Sequence, residues 1–131
     1  MTNQPAIWNF ELRAGCTFDV TVEFREPDDE DGNEGALIDL SDYDEIIWVA
    51  KPSRDHATKT IDKNVSDYVT GSGIINGGVA GTIRFQLTAA ETALINDKSL
   101  VHDVTLINTA ASPVVKDPFS TGTITVVKEM L

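Results

Sequence analysis

The chain is organised by a hydrophobic period of two. In "IWNFELR" Trp8, Phe10 and Leu12 alternate with Ile7, Asn9, Glu11 and Arg13, and in "TFDVTVEF" Phe18, Val20, Val22 and Phe24 alternate with Asp19, Thr21 and Glu23. Alternation of this kind sends successive side chains to opposite faces of an extended chain, so both segments are predicted as half-buried strands with one wet face. The intervening "RAG" leaves room for a short turn, after which the strands either neighbour each other or cross to opposite sheets. "EIIWVAK" (45–51) is continuous in Ile46, Ile47, Trp48 and Val49, the pattern of a central strand covered on both sides, and Pro52 ends it. Trp48 is therefore expected in the core, while Trp8 is compatible with either a core position or an exposed contact.

Weaker signals fill the gaps. Ser41-Asp42-Tyr43-Asp44 favours a turn or one helical turn, "KTIDKNV" (59–65) reads as an edge strand, and the glycine-rich "GSGIINGGVAG" reads as loops around a short strand at Ile74 and Ile75. "GTIRFQL" alternates again, with Ile83, Phe85 and Leu87 inward. In "LTAAETALIN" the period changes: Thr88 followed three residues later by Glu91 is a capping box, the alanines favour helix, and Asn96 can stop it. "SLVHDVTLIN" and "GTITVVKEM" complete the set, and Pro113 and Pro118 between them argue against a long central strand there. The sum is one domain over residues 1–131, an all-β, antiparallel, immunoglobulin-like β-sandwich of about seven to nine strands with one short helix.

Composition narrows what such a domain does. Asp and Glu number 21 against 10 Lys and Arg, a net charge of -11, which repels phosphate backbones and makes nucleic acid an unsuitable partner. With 41% hydrophobic residues this acidity belongs to the surface of a packed core, not to a disordered chain. The single Cys16 has no partner for an intrachain disulfide, which suggests a reducing compartment or a small buried side chain. "MTNQPAIWNF" has neither a basic n-region nor a long apolar stretch, and no segment approaches membrane-spanning length, so a soluble product made in the cytoplasm and no membrane partner are expected.

No catalytic, cofactor-binding or metal-ligating residues emerge, and no enzyme activity is expected. The acidic stretch "EPDDEDGNEG" (26–35) invites a calcium reading, but aligning Gly32 to the glycine of an EF-type loop puts Pro27 and Ile38 at its two ligating ends. A solvated hairpin loop is the better account, with residues 28–34 open to a partner or to weak cation binding. Cys16, His56 and His102 stand singly, without metal-ligand spacing. His102 and Asp103 are adjacent in a strand and point to opposite faces, so they form no base pair of their own; His102 is expected at the surface or half-buried. The glycines of 71–81 fit neither phosphate-binding fingerprint. Asp19, Asp39 and Asp103 are expected to cap loops through backbone N–H groups.

Taken in order, "RAGCTFDVTVEF", "LIDLSDYDEIIWVA", "GTIRFQLTAAETALI", "LVHDVTLIN" and "STGTITVVKEM" resemble a family of short tailed-bacteriophage structural proteins related to the N-terminal immunoglobulin-like domain of phage baseplate upper proteins. Arg13, Gly15, Thr17 and Phe18 match the first motif, with Cys16 in place of an acid. Asp39, Leu40, Ser41 and Tyr43 match the second, with Asp42 where glycine is usual. Thr88, Glu91 and Thr92 match the helix, and Gly122, Ile124 and Val126 the last strand. The resemblance implies a virion subunit of the tail, baseplate or neck that docks other virion proteins, forms at most a small symmetric homo-oligomer, carries no appended receptor-binding domain and catalyses nothing. A capsid decoration protein is the alternative within the same class. A carbohydrate-binding or adhesin-like module, using exposed aromatics such as Trp8, Tyr43 and Tyr68, is the alternative outside it.

Overall fold

A computed structural model of the chain describes residues 6–26, 30–68 and 71–128. Among these residues the fold is mostly β: nine strands in two sheets, with one short helix and two 3-10 turns. The first sheet runs in the order β1 (Ala6–Ile7), β9 (Val115–Lys128), β8 (Ser99–Asn108), β4 (Glu45–Lys51), β5 (Ile61–Asn64), with β2 (Phe10–Ala14) also paired to β9. The second is β3 (Phe18–Glu23), β7 (Thr82–Leu87), β6 (Gly73–Asn76). Inward residues of both sheets form one core, in which Leu12, Ile46, Trp48, Ala50, Leu100, Val104 and Ile124 meet Phe18, Ile74, Ile83, Phe85 and Leu87. The alternation along the sequence is thus the alternation between core and surface.

The pairing is not antiparallel throughout. β1 and β2 both run parallel to β9, in the register Ala6↔Ser120 and Phe10↔Ile124. The "RAG" turn takes the chain from β2 in the first sheet to β3 in the second, and β2 pairs along the edge of β9. A chain cannot reveal this from periodicity, because parallel and antiparallel edge strands with one buried face share the same alternation.

Two further expectations are corrected. β4 is not covered equally on both faces: Ile46, Trp48 and Ala50 are buried, whereas Ile47 and Val49 are half-buried on the outer side. Pro118 does not interrupt the last strand, which runs through it for 14 residues. The ladder shifts by one residue there, Val104 pairing with Ser120 and Thr105 with Pro118, so Phe119 forms a bulge. β1 joins β9 from Ser120 onward, so beside Pro118 that edge of β9 has no strand partner among the described residues, and proline is tolerated at such a bulge. The bulge turns the Phe119 ring onto Phe24, centroids 4.0 Å apart.

The helix α1 (Ala89–Ala93) is shorter than its sequence suggests, but its cap is as expected. Thr88 Oγ1 accepts from the Glu91 N–H at 3.1 Å, and the Glu91 carboxylate accepts from the Thr88 N–H at 2.9 Å. Thr92, fully buried, joins this helix to the β2–β3 turn. Its hydroxyl accepts from the Gly15 N–H at 3.0 Å and donates to the Cys16 carbonyl at 2.7 Å.

Candidate functional site

The most organised polar group in the interior is centred on His102. Strand alternation in "SLVHDVTLIN" puts Leu100, His102, Val104 and Leu106 on the core side, and the imidazole is 1% exposed. This corrects the surface or half-buried position expected for it. Its cross-strand neighbours are small, Ala50 on β4 and Gly122 on β9, which leaves room for the ring. Trp48 Nε1 donates to His102 Nδ1 at 3.1 Å, and His102 Nε2 lies 2.7 Å from the Trp8 carbonyl oxygen. An indole N–H only donates and a carbonyl only accepts, so the ring is neutral with its proton on Nε2. Burial, the largest influence, pushes the His102 pKa below the ordinary value, while the Trp8 carbonyl and the charge of Asp103 act in the opposite direction.

The Trp8 carbonyl lies against His102 where the ladder between the N-terminal strand and β9 is interrupted, at residues 8–9 between β1 and β2, although the register is the same on either side. Trp8 N–H still donates to the Thr121 carbonyl at 2.8 Å, but opposite Thr123 the Asn9 side chain takes over, its Oδ1 accepting from the Thr123 N–H at 2.8 Å. Gly122 makes this approach possible, since a Cβ there would collide with the Trp8 carbonyl. Trp8 itself is half-buried, tilted against Phe10 and Phe85 with centroids 4.6 and 5.0 Å away. It is a core-edge residue that meets His102 through its carbonyl and through its ring, which lies edge-on with centroids 5.4 Å apart.

The remaining candidates are dispersed. Residues 27–29, including Asp28 and Asp29, lie outside the described residues. The flanks of the acidic loop close as an antiparallel pair, with an Arg25–Leu37 bridge and a Glu26 N–H to Ala36 carbonyl bond of 2.8 Å. Glu34 and Glu23 both approach Arg25 Nε, at 3.0 and 2.6 Å. Among the described residues no group of three or more His, Cys, Asp or Glu side chains is placed to hold a metal ion. Cys16 is half-buried in the turn beneath Thr92, and His56 is exposed, its Nδ1 accepting from the Thr58 N–H at 3.1 Å.

Of the three aspartates expected to cap loops, Asp39 does so, accepting from Ser41 N–H at 2.9 Å and Ser41 Oγ at 2.5 Å. The other two lie mid-strand and pair across the sheet instead. Asp19 takes a two-pronged bond from Arg84, at 2.9 and 2.7 Å, which holds its pKa at about 2. Asp103 on the outer face of β8 takes both Arg54 amines and the Thr121 hydroxyl. Tyr43 donates to Asp117 at 2.7 Å, and burial together with that carboxylate raises its pKa to about 12. It ties the "DLSDY" turn to the start of β9. Tyr68 is exposed.

Sequence reasoning missed two of these centres, His102 and Thr92. The signal for His102 was present in the strand period, which puts it on the Leu100 face. Thr92 carried no such signal, because its partners Gly15 and Cys16 lie 77 and 76 residues away.

A shallow groove of about 320 Å³ separates edge strand β5 from α1, with Ile61, Leu87 and Ile95 at its floor, Lys63 and Glu91 at its rim, and Leu94 exposed beside it. Lys63 and Glu91 pair at 2.5 Å. The chain matches no known protein-family profile and no curated protein.

Proposed function

We propose that this chain is a non-enzymatic bacteriophage virion subunit, an immunoglobulin-like sandwich that docks other proteins of the tail, neck or baseplate. Its strand order favours that fold. β9-β8-β4-β5 against β3-β7-β6 is the arrangement G-F-C-C′ against B-E-D of a variable-type immunoglobulin sandwich, with the first strand laid along the last. On that reading Trp48 corresponds to the buried strand-C tryptophan of such sandwiches.

The observation that carries the functional reading is where the motif residues of the phage resemblance fall. Several of them join separate elements of the fold. Thr92 of the helix motif fastens Gly15 and Cys16 of the first motif, Thr88 and Glu91 form the cap, Tyr43 of the second motif reaches β9, and Gly122 of the last motif receives the N-terminal strand. Docking then falls to what the joints leave open: the edges of β5 and β6, and loops within 53–72 and 110–120. The net charge of -11 keeps the free subunit dispersed and favours basic patches on its partner.

The test is quantitative mass spectrometry of purified particles, with labelled antibody locating the subunit by electron microscopy. Multiple copies at the tail, neck or baseplate are expected, and the purified subunit should show no hydrolase activity and remain a monomer or a small symmetric oligomer. Its absence from particles in which other minor structural proteins are detected would reject the assignment.

A further inference from the structure

We propose that His102 is an acid-sensitive latch for the N-terminal strand: its neutral imidazole spans from the Trp48 indole to the Trp8 carbonyl, and protonation of the ring releases the Trp8–Asn9 segment from the edge of β9. The inference stands on geometry alone and does not depend on the virion assignment. The added proton must go to Nδ1, the atom that accepts from Trp48 Nε1 at 3.1 Å. An imidazolium has two donors and no acceptor, so Nδ1–H would then face the indole N–H across that distance. Turning the ring to relieve the clash also removes Nε2 from the Trp8 carbonyl, because both nitrogens belong to one rigid plane.

The position of each partner decides which one yields. Trp48 is fully buried on β4, which is held between β8 and β5, and His102 is on β8, held between β4 and β9. Trp8 and Asn9 lie at the sheet edge, attached to β9 through one backbone bond and one side-chain bond. The edge segment is therefore the part that opens locally. The groups around the imidazole are Trp48 and Ala50 from β4, Gly122 from β9, Trp8 and Phe10 from the N-terminal strand, and Phe85 closing over both tryptophans from the facing sheet. None of these ionises. The charge that acts on the ring is Asp103, next along β8 on the opposite face, itself held by Arg54 and Thr121.

The sign follows from proton uptake. Once the strand opens, His102 regains an ordinary affinity for a proton, with a pKa of about 6.5, while the latched ring binds one less readily. The latch is at full strength above that value and weakens as pH falls below it. The open population should grow by up to roughly tenfold per pH unit until the latched ring itself titrates.

Hydrogen–deuterium exchange of the full chain at pH 7 and pH 5, corrected for intrinsic rates, tests this. Peptides covering residues 6–14 should exchange faster at pH 5, by at most roughly thirtyfold, with β4 and β8 peptides unchanged. His102→Gln can accept from Trp48 and donate to Trp8 but cannot titrate, so it should abolish the pH response. An equal response in His102→Gln, no response in the wild type, or equal acceleration of all peptides would overturn the proposal. Nitrogen NMR of the wild-type ring provides a readout that does not rely on the variant folding. It should find the proton on Nε2 and a titration below the ordinary value; an Nδ1–H ring, or titration near 6.5, would equally overturn it.

Discussion

Thr92→Val isolates the stitch between α1 and the β2–β3 turn. Valine keeps the shape of threonine and nearly its helix propensity, so the substitution removes a hydroxyl and little else. That hydroxyl, on a fully buried residue, accepts from Gly15 N–H at 3.0 Å and donates to the Cys16 carbonyl at 2.7 Å. Each bond contributes about 1 kcal/mol net, and a stranded buried donor costs about 1–3 kcal/mol. The turn is only half-buried, so water recovers part of the loss at Gly15. A destabilisation of roughly 2–3 kcal/mol follows. At about 4 °C per kcal/mol for a domain of this size, Tm should fall by about 8–12 °C. Thr92→Ser keeps the hydroxyl and loses one methyl, which should cost about 1 kcal/mol. Urea unfolding followed by tryptophan emission measures both, and an unchanged m-value would show that the change lies in stability, not in the denatured state. If valine costs less than about 1 kcal/mol, or serine costs as much as valine, the hydroxyl is not the stitch and the reasoning fails.

Trp48→Ala should cost roughly 3–5 kcal/mol, since the indole is fully buried and its loss also strands His102 Nδ1; wild-type emission should be blue-shifted, and iodide quenching of both tryptophans would contradict the assignment. Burial works to raise the Glu91 pKa, but Lys63 and the Thr88 N–H prevail and hold it at about 2, below its ordinary 4.5. Because the folded pKa is depressed, the stability it contributes is present above pH 4.5 and lost as pH falls toward 2. Glu91→Gln should therefore flatten the acid limb of a stability–pH profile in that window, leaving the part due to Asp19, and an unchanged limb would refute it. Replacing residues 28–34 with Asn-Gly should shift stability by less than about 1 kcal/mol, because the Arg25–Leu37 bridge remains and closure depends weakly on loop length; sub-micromolar calcium binding to the native loop by calorimetry would contradict the solvated-turn reading.

Local chemistry made much of this fold legible in the sequence. A strand with one buried face must alternate, which exposed β2, β3, β7, β8 and the end of β9, and the Thr88–Glu91 box lies within four residues and needs nothing from the rest of the chain. The core position of Trp48 rests on a different ground, the continuous apolar run of 46–49, and the residue is buried although the outer face of β4 is only half-covered. Strand alternation also implies the Leu100 face for His102, which the surface or half-buried expectation overlooked, but what a buried imidazole bonds to depends on atoms from β4 and the N-terminal strand, and only packing brings those within 3.1 Å. Tertiary structure alone decided the parallel pairing of β1 and β2 with β9, since periodicity carries no direction. It likewise decided that Pro118 can sit within a strand, because the cost of a missing N–H depends on whether a neighbour is there to receive it. Asp19 and Asp103 turned from expected loop caps into partners of Arg84 across the sheet and of Arg54 in the turn after β4 for the same reason: a carboxylate takes the nearest donor, and nearness across 65 or 49 residues is a property of the folded chain.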